Sequence, residues 1–380
     1  MPGFPSNDII SLVAQAPRFD LAESAGPGLR LAELLDPSSE PYHDLVLDYG
    51  TAQGDAALRK AIADLHDVDP DDVIVTVGGM HALFLIAFIL CERGDEAIFG
   101  EPGFPLARNA LIAAGAAVRA LRHAFDRGYQ PDVASFRKLL SAKTKLVSLA
   151  SPQNPSGVAI AARTLDEMLG SMQEHAPRAW LVLDETYRQA AYGSDPVMMA
   201  SAATLGARVI SVASLSKCHG AQGLRIGWAI VRDPALREEL VTAKFNTVIS
   251  CSRVDEVLAL EVLRRRDRIM RERRTDLGEK LQSAAQWVRR NEPFVEWVRP
   301  DACGLCCVRL RRASFDGAAV ERFYCELSRQ GVRVAPGDWF GEERRIFRVG
   351  FGLPTPRDLE EALERLSIAL ERSADRVGAT

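Results

Sequence analysis

Three kinds of polar group crowd into one short stretch of the chain. S-L-S-K-C-H-G-A-Q-G-L-R-I-G-W, residues 214–228, carries hydroxyls at Ser214 and Ser216, an amine at Lys217 and a guanidinium at Arg225. A lysine in a glycine-containing loop is ordinarily a surface residue. Here its surroundings argue otherwise: arginine and hydroxyls grip phosphate oxygens, and an amine beside them can attack a carbonyl carbon as a nucleophile. The combination suits a ligand that carries a phosphate with a carbonyl nearby.

Other stretches offer complementary chemistry. A-W-L-V-L-D-E-T-Y, residues 179–187, is an apolar strand ending in an acid, so Asp184 is aimed at the crevice where α/β sheets bind ligands, or else caps the next segment. T-V-G-G-M-H-A-L, residues 76–83, runs from a strand through glycines into a helix, whose first N–H groups and dipole form an anion site. S-P-Q-N-P-S-G, residues 151–157, follows a strand and reads as a turn.

Taken in order, these stretches resemble the class I/II aminotransferases, members of the fold type I enzymes that depend on pyridoxal 5′-phosphate (PLP). The resemblance runs from about Tyr49 to Arg348. It implies that Lys217 of S-L-S-K forms the Schiff base with PLP, that Arg225, eight positions on, holds the phosphate, and that Ser214 and Ser216 line the same loop. Asp184 is assigned to the pyridinium nitrogen, Tyr187 and Asn154 to the phenolic oxygen, with Asn154 also assisting substrate binding. Gly79 and Met80 belong to the anion loop. Phe104 of E-P-G-F-P takes the position of a ring stacked on the pyridine, where the alternative is a core phenylalanine. Tyr49, in D-Y-G-T-A-Q-G-D-A-A-L-R, resembles a tyrosine that reaches the phosphate of the neighbouring subunit; an ordinary packed tyrosine is the other reading. Arg348, in R-I-F-R-V-G-F-G, resembles the clamp for the substrate α-carboxylate. The family commonly has a glycine-containing substrate loop near its start. Here only Ser24-Ala25-Gly26 answers to it, so the residues name no particular substrate.

The implied reaction moves an amino group from an amino acid to a 2-oxo acid. A PLP-dependent lyase or cyclase outcome, and a non-catalytic PLP-binding protein, are the alternatives. The implied architecture is α/β: a large domain at 46–245 with a mostly parallel, mixed seven-stranded sheet between helices, and a smaller α+β domain formed by the segment 1–45 and by 246–380. A homodimer is implied, with Tyr49 contributing across the interface.

The elements needed to position these groups are legible in the hydrophobic pattern. Near-continuous apolar runs at 72–77, 96–99, 117–121, 145–150, 179–184, 208–213 and 226–231 read as strands buried on both faces, alternating with helices. Strands near 295–298, 305–310, 332–335 and 346–350, with helices at 316–329 and 356–372, make the smaller unit. The Arg-rich run 264–274 mixes acids with bases and reads as a solvated helix face.

Composition narrows the class. At 380 residues, 47% hydrophobic and 26% charged, the chain is an ordinary globular protein. Its net charge of −4 gives no case for nucleic acid or anionic membrane. The longest apolar run, 82–91, is half the length of a membrane span and reads as a buried helix. No secretion signal is evident at the start, and a cytoplasmic location is expected. The seven cysteines are sparse and read as free thiols; Cys303 and Cys306 form a C-x-x-C inside a strand-like run, and no metal site is expected.

Overall fold

The apolar runs pair as their composition requires. The computed structural model describes residues 3–13, 16–35, 44–192 and 200–375, so part of the 1–45 segment lies outside the described residues. In chain order it begins with β1 (Phe19–Leu21), α1 (Leu31–Leu34), α2 (Ala56–His66), β2 (Val73–Val77) and α3 (Gly78–Leu90). There follow β3 (Glu96–Glu101), α4 (Pro105–Ala113), β4 (Ala117–Arg122), α5 (Val133–Leu139), β5 (Thr144–Ala150), α6 (Ala162–His175), β6 (Trp180–Asp184), β7 (Val209–Ser214) and β8 (Ile226–Ile230). Then come α7 (Pro234–Val248), α8 (Arg253–Arg264), α9 (Arg266–Arg290), β9 (Val295–Trp297), β10 (Leu305–Leu310), α10 (Gly317–Arg329), β11 (Val332–Pro336), β12 (Ile346–Gly350) and α11 (Pro356–Ser373).

Seven strands form one sheet in the order β2-β8-β7-β6-β5-β3-β4. Only β8 runs against its neighbours; β7, β6, β5, β3 and β4 pair in parallel. Successive residues of one strand feed opposite faces. Val182 and Ile210 join a core with Leu85 and Ile86 of α3 and Leu240 of α7, while Leu181, Leu183 and Val209 join another with Phe136 and Met168 of α5 and α6. Burial on both faces explains why these strands lack polar alternation.

A five-stranded sheet, in the order β1-β11-β12-β10-β9, collects the remaining strands. Its core includes Trp287 of α9, Phe323 of α10 and Leu363 and Leu366 of α11. The N-terminal β1 pairs in parallel with β11, and Arg333 of β11 donates to Asp20 of β1 at 2.6 Å, fastening the two ends of the chain together.

Helix α3 is the buried apolar helix anticipated around 82–91, and no helix among the described residues is long and apolar enough to cross a membrane. The Arg-rich run departs from a purely solvated face. Arg273 turns inward and donates to the Pro27 carbonyl at 2.6 Å. Cys303, Cys306 and Cys307 are buried free thiols, the latter two within β10.

Candidate active site

Strand direction places the reactive residues. β2, β3, β5, β6 and β7 all point the same way, so the segments after them emerge along one edge of the large sheet. The residues leaving that edge are Gly78 and Gly79 after β2, Phe104 after β3, Asn154 after β5, Tyr187 after β6 and Lys217 after β7, with Asp184 the last residue of β6. β8 is antiparallel and therefore begins at this edge, which brings in Arg225 just before it. The carboxyl edge of such a sheet is where ligands bind.

An anion cradle forms at one end. Arg225 donates to Ser216 Oγ at 3.3 Å and to the Gln222 carbonyl at 3.0 Å, and the Ser216 N–H donates to Ser214 Oγ at 3.3 Å. Opposite them lies the start of α3, which has no side-chain cap, so its first N–H groups are available to an anion. Gly78 must be glycine: its φ is +71°, and a Cβ there would lie 2.4 Å from Arg225 Nη2. Met80 is partly buried against the core, so its share in the cradle is its backbone.

Along the same edge lies a buried set of opposite character. Asp184 is pushed up in pKa by burial, against the hydrogen bond from Thr186 N–H at 3.0 Å and the nearby Lys217 charge. Its position is fixed from below by Glu185, which accepts from Ala202 N–H and Ser201 Oγ, both at 3.0 Å. The Tyr187 hydroxyl is buried near Ser24 without a well-aligned hydrogen-bond partner among the described residues, and burial raises its pKa.

Arg348 joins the two sheets. It sits in β12, is 1% exposed, donates to Asn154 Oδ1 at 2.7 Å and to the Ala22 carbonyl, and stacks over Phe340 at 4.7 Å. Burial lowers its pKa, and its Nε has no partner. Phe104 packs in the same cluster, with Ala22, Phe340 and Trp339.

Lys217 is met by the Ser24–Gly26 stretch expected to answer to the substrate loop, and by Glu23 just before it, which the sequence motifs did not single out. Its Nζ donates to Ser24 Oγ at 2.9 Å and to Glu23 Oε1 at 3.3 Å. Burial lowers the lysine pKa, opposed by the Glu23 carboxylate. Burial also pushes the Glu23 carboxyl upward, but Lys217 and the backbone N–H groups of Ala25 and Ser24 outweigh it and leave its pKa below the usual value. The segment lies close because Gly350 has no side chain; a Cβ there would sit 1.8 Å from the Glu23 carbonyl oxygen. Tyr49, in contrast, is 79% exposed, on a segment beside Ser250 and Arg253.

The donor set therefore combines an anion cradle, a partly buried amine and carboxylate, a buried phenol and a buried guanidinium held by Asn154. The description of class I and II aminotransferases matches the chain over residues 42–366. The chain belongs to that family. Its cofactor is PLP, which the donor set fits, and the family reaction is amino-group transfer between an amino acid and a 2-oxo acid. The chain is 28% identical to the capreomycidine synthase of Streptomyces vinaceus over 97% of this chain and 93% of that one. It is 27% identical to the arginine–pyruvate transaminase of Pseudomonas aeruginosa over 84% and 81%. Among solved structures, the PLP-dependent cyclase OrfR superposes with a TM-score of 0.85 at 26% identity, over 98% of this chain and 99% of that one. The seven-stranded, mostly parallel sheet of this family is the one described above.

Proposed function

We propose that Lys217 condenses with the PLP aldehyde and that, at this site, the chain moves an amino group from an amino acid to a 2-oxo acid. The observation that carries this reading is a desolvated lysine at the carboxyl edge of the sheet, between the Arg225 cradle and Asp184. When bound, PLP supplies an aldehyde for amines and a ring that draws electrons from the substrate Cα.

The chain's own residues take the remaining tasks. Arg225, Ser214, Ser216 and the N–H groups at Gly79 and Met80 hold the phosphate. Asp184 pairs with the ring nitrogen and keeps its proton in place; a cation there offsets the desolvation that otherwise raises the carboxyl pKa. Asn154 has its Oδ1 occupied by Arg348, which orients its NH₂ as a donor to the phenolic oxygen, and Tyr187 donates beside it. Phe104 covers the ring. Arg348 receives the substrate α-carboxylate, and Lys217, once displaced, takes and returns the Cα proton.

The described residues of 1–45 and 246–380 form the small domain in this reading, supported by the β1–β11 pairing, except that Leu34, Ala259 and Val262 pack against Val73 and Trp228 of the large sheet. The active unit is a homodimer with Tyr49 reaching across to the partner's phosphate. Val46, Leu47 and Tyr49 are 69, 79 and 79% exposed, on a segment whose Asp48 and Gly50 lie beside Arg253 and Ser250, and exposed apolar side chains of this kind suit burial against a partner. The working compartment is the cytoplasm.

The test is spectroscopic. PLP-loaded protein is expected to show a visible absorbance band that borohydride bleaches as it reduces the imine and leaves the cofactor covalently attached, and Lys217→Ala loses band, covalent trapping and turnover together; a retained band with trapping in the variant removes the assignment. The synthase and cyclase among the relatives give the second reading, elimination or cyclisation on the same lysine. Product formation that proceeds without a 2-oxo acid acceptor selects it.

A further inference from the structure

Glu23 is a charged group at this site that amino transfer, as assigned above, does not use. Its carboxylate is anchored: Oε1 accepts from Ser24 N–H at 2.7 Å and from Ala25 N–H at 2.8 Å. The backbone that carries it is anchored as well, because Ala22 accepts from Arg348 and β1 is paired to β11. The side chain is 24% exposed, and its ion-pair partner is Lys217 Nζ at 3.3 Å.

That partner is temporary. Resting on the reading of Lys217 as the cofactor-bound residue, the three N–H donors of its ammonium fall to at most one once PLP is in place, and that remaining proton is shared with the cofactor side of the site. Arg348, whose charge also bears on Glu23, gives its hydrogen bonds to Asn154 and the Ala22 carbonyl and, in the reading above, takes the substrate α-carboxylate, which offsets that charge. A fixed, mostly buried carboxylate without a cation is costly. The α-ammonium common to all amino acids is no lasting replacement, since its nitrogen enters the same condensation. A second cationic group on the substrate, which does not take part in the condensation, supplies a lasting partner.

We infer that Glu23 is a specificity-determining residue that selects amino acids with a positively charged side chain, an ammonium or a guanidinium, at this site. Charge-assisted hydrogen bonds in a desolvated setting favour such a ligand roughly tenfold or more over a neutral one of equal shape.

The holoenzyme is titrated with L-lysine, L-ornithine, L-arginine and L-norleucine, the last matching lysine without its ammonium, and dissociation constants are read from the shift of the cofactor absorbance band. In the native protein at least one cationic amino acid binds tenfold or more tightly than norleucine. In Glu23→Gln that ratio falls towards one, and in Glu23→Asp it is partly kept. The inference is overturned if the native protein binds norleucine as well as every cationic amino acid, or if the ratio survives in Glu23→Gln. A native ratio near one overturns the inference by itself, and if Glu23→Gln misfolds the partial retention expected of Glu23→Asp carries the test. Failure of the Lys217 assignment is separate: it is read from the retained band of Lys217→Ala, not from the ratio.

Discussion

Gly78 and Gly79 are neighbours in sequence, yet a methyl group added to each has opposite consequences. At Gly78 the backbone φ is +71°, a left-handed conformation that costs an L-residue about 1–2 kcal/mol. The new Cβ would also lie 2.4 Å from Arg225 Nη2, and since ordinary contact begins at 3.4 Å the guanidinium must retreat by about 1 Å (3.4 less 2.4). The guanidinium is held where it is by hydrogen bonds to Ser216 Oγ and the Gln222 carbonyl, which a retreat has to give up. Losing one charge-assisted contact to phosphate costs about 1.5–3 kcal/mol, or roughly 10- to 150-fold in affinity. At Gly79 the Cβ would meet Ser214 Cβ at 3.7 Å, an ordinary contact on the sheet side, and alanine in a helix is favoured over glycine by about 1 kcal/mol. Apoenzyme titrated with PLP, followed by tryptophan quenching below the melting transition, therefore gives a Gly78→Ala protein weakened by one to two orders of magnitude. Gly79→Ala stays within about twofold of the native protein. Equal weakening of both variants, or native affinity in Gly78→Ala, would refute the placement of Arg225 in the phosphate cradle.

Asp184→Asn removes the carboxylate assigned to the ring nitrogen while leaving the cradle intact. It is expected to retain PLP and to lose roughly 10²-fold or more in the single-turnover rate of the cofactor band, and an unchanged rate would exclude that role for Asp184. Acid stability follows from three buried histidines. Burial, helped by Arg188 for His66, by Arg122 for His123 and by Arg273 for His219, lowers their pKa values to about 3, about 4 and about 3 from the ordinary 6.5. The unfolded chain gains these protons below pH 6.5 and the folded protein does not, so their contribution is complete above 6.5 and is lost as pH falls towards 4. Each histidine contributes a slope of about 1 kcal/mol per pH unit, and urea midpoints that stay flat across this window would contradict the neutral burial of all three.

The parts of the fold legible in the sequence are those whose physics is local. The strand of β6 is W-L-V-L-D because both faces are covered, and it reads as four apolar residues followed by an acid at a crevice. The same holds for β2, β5 and β7, so the residues that follow them could be put on one edge before any contact was known. β1 was not legible. Phe19–Leu21 is three residues long, has an acid at its centre, and is a strand only because Val332–Val334 lies alongside and Arg333 reaches Asp20 across 313 residues of chain. Periodicity cannot register a pairing of that kind.

Glu23 was missed for the same reason, and it is the most consequential miss. The reading of residues 24–26 looked for a glycine loop and passed over the acid that precedes it. A carboxylate after a three-residue strand carries no signature of its own; its meaning comes from Lys217, 194 positions away, and from the missing side chain of Gly350 that lets the segment approach. The resemblance that identified Lys217, Asp184 and Arg225 works through groups that handle the cofactor, which every member of the family must hold. Groups that handle the substrate side chain differ with the substrate, so a shared pattern is blind to them. In this chain they are found by asking which charge at the site is left without a partner once the shared chemistry has been assigned, and that question leads to Glu23.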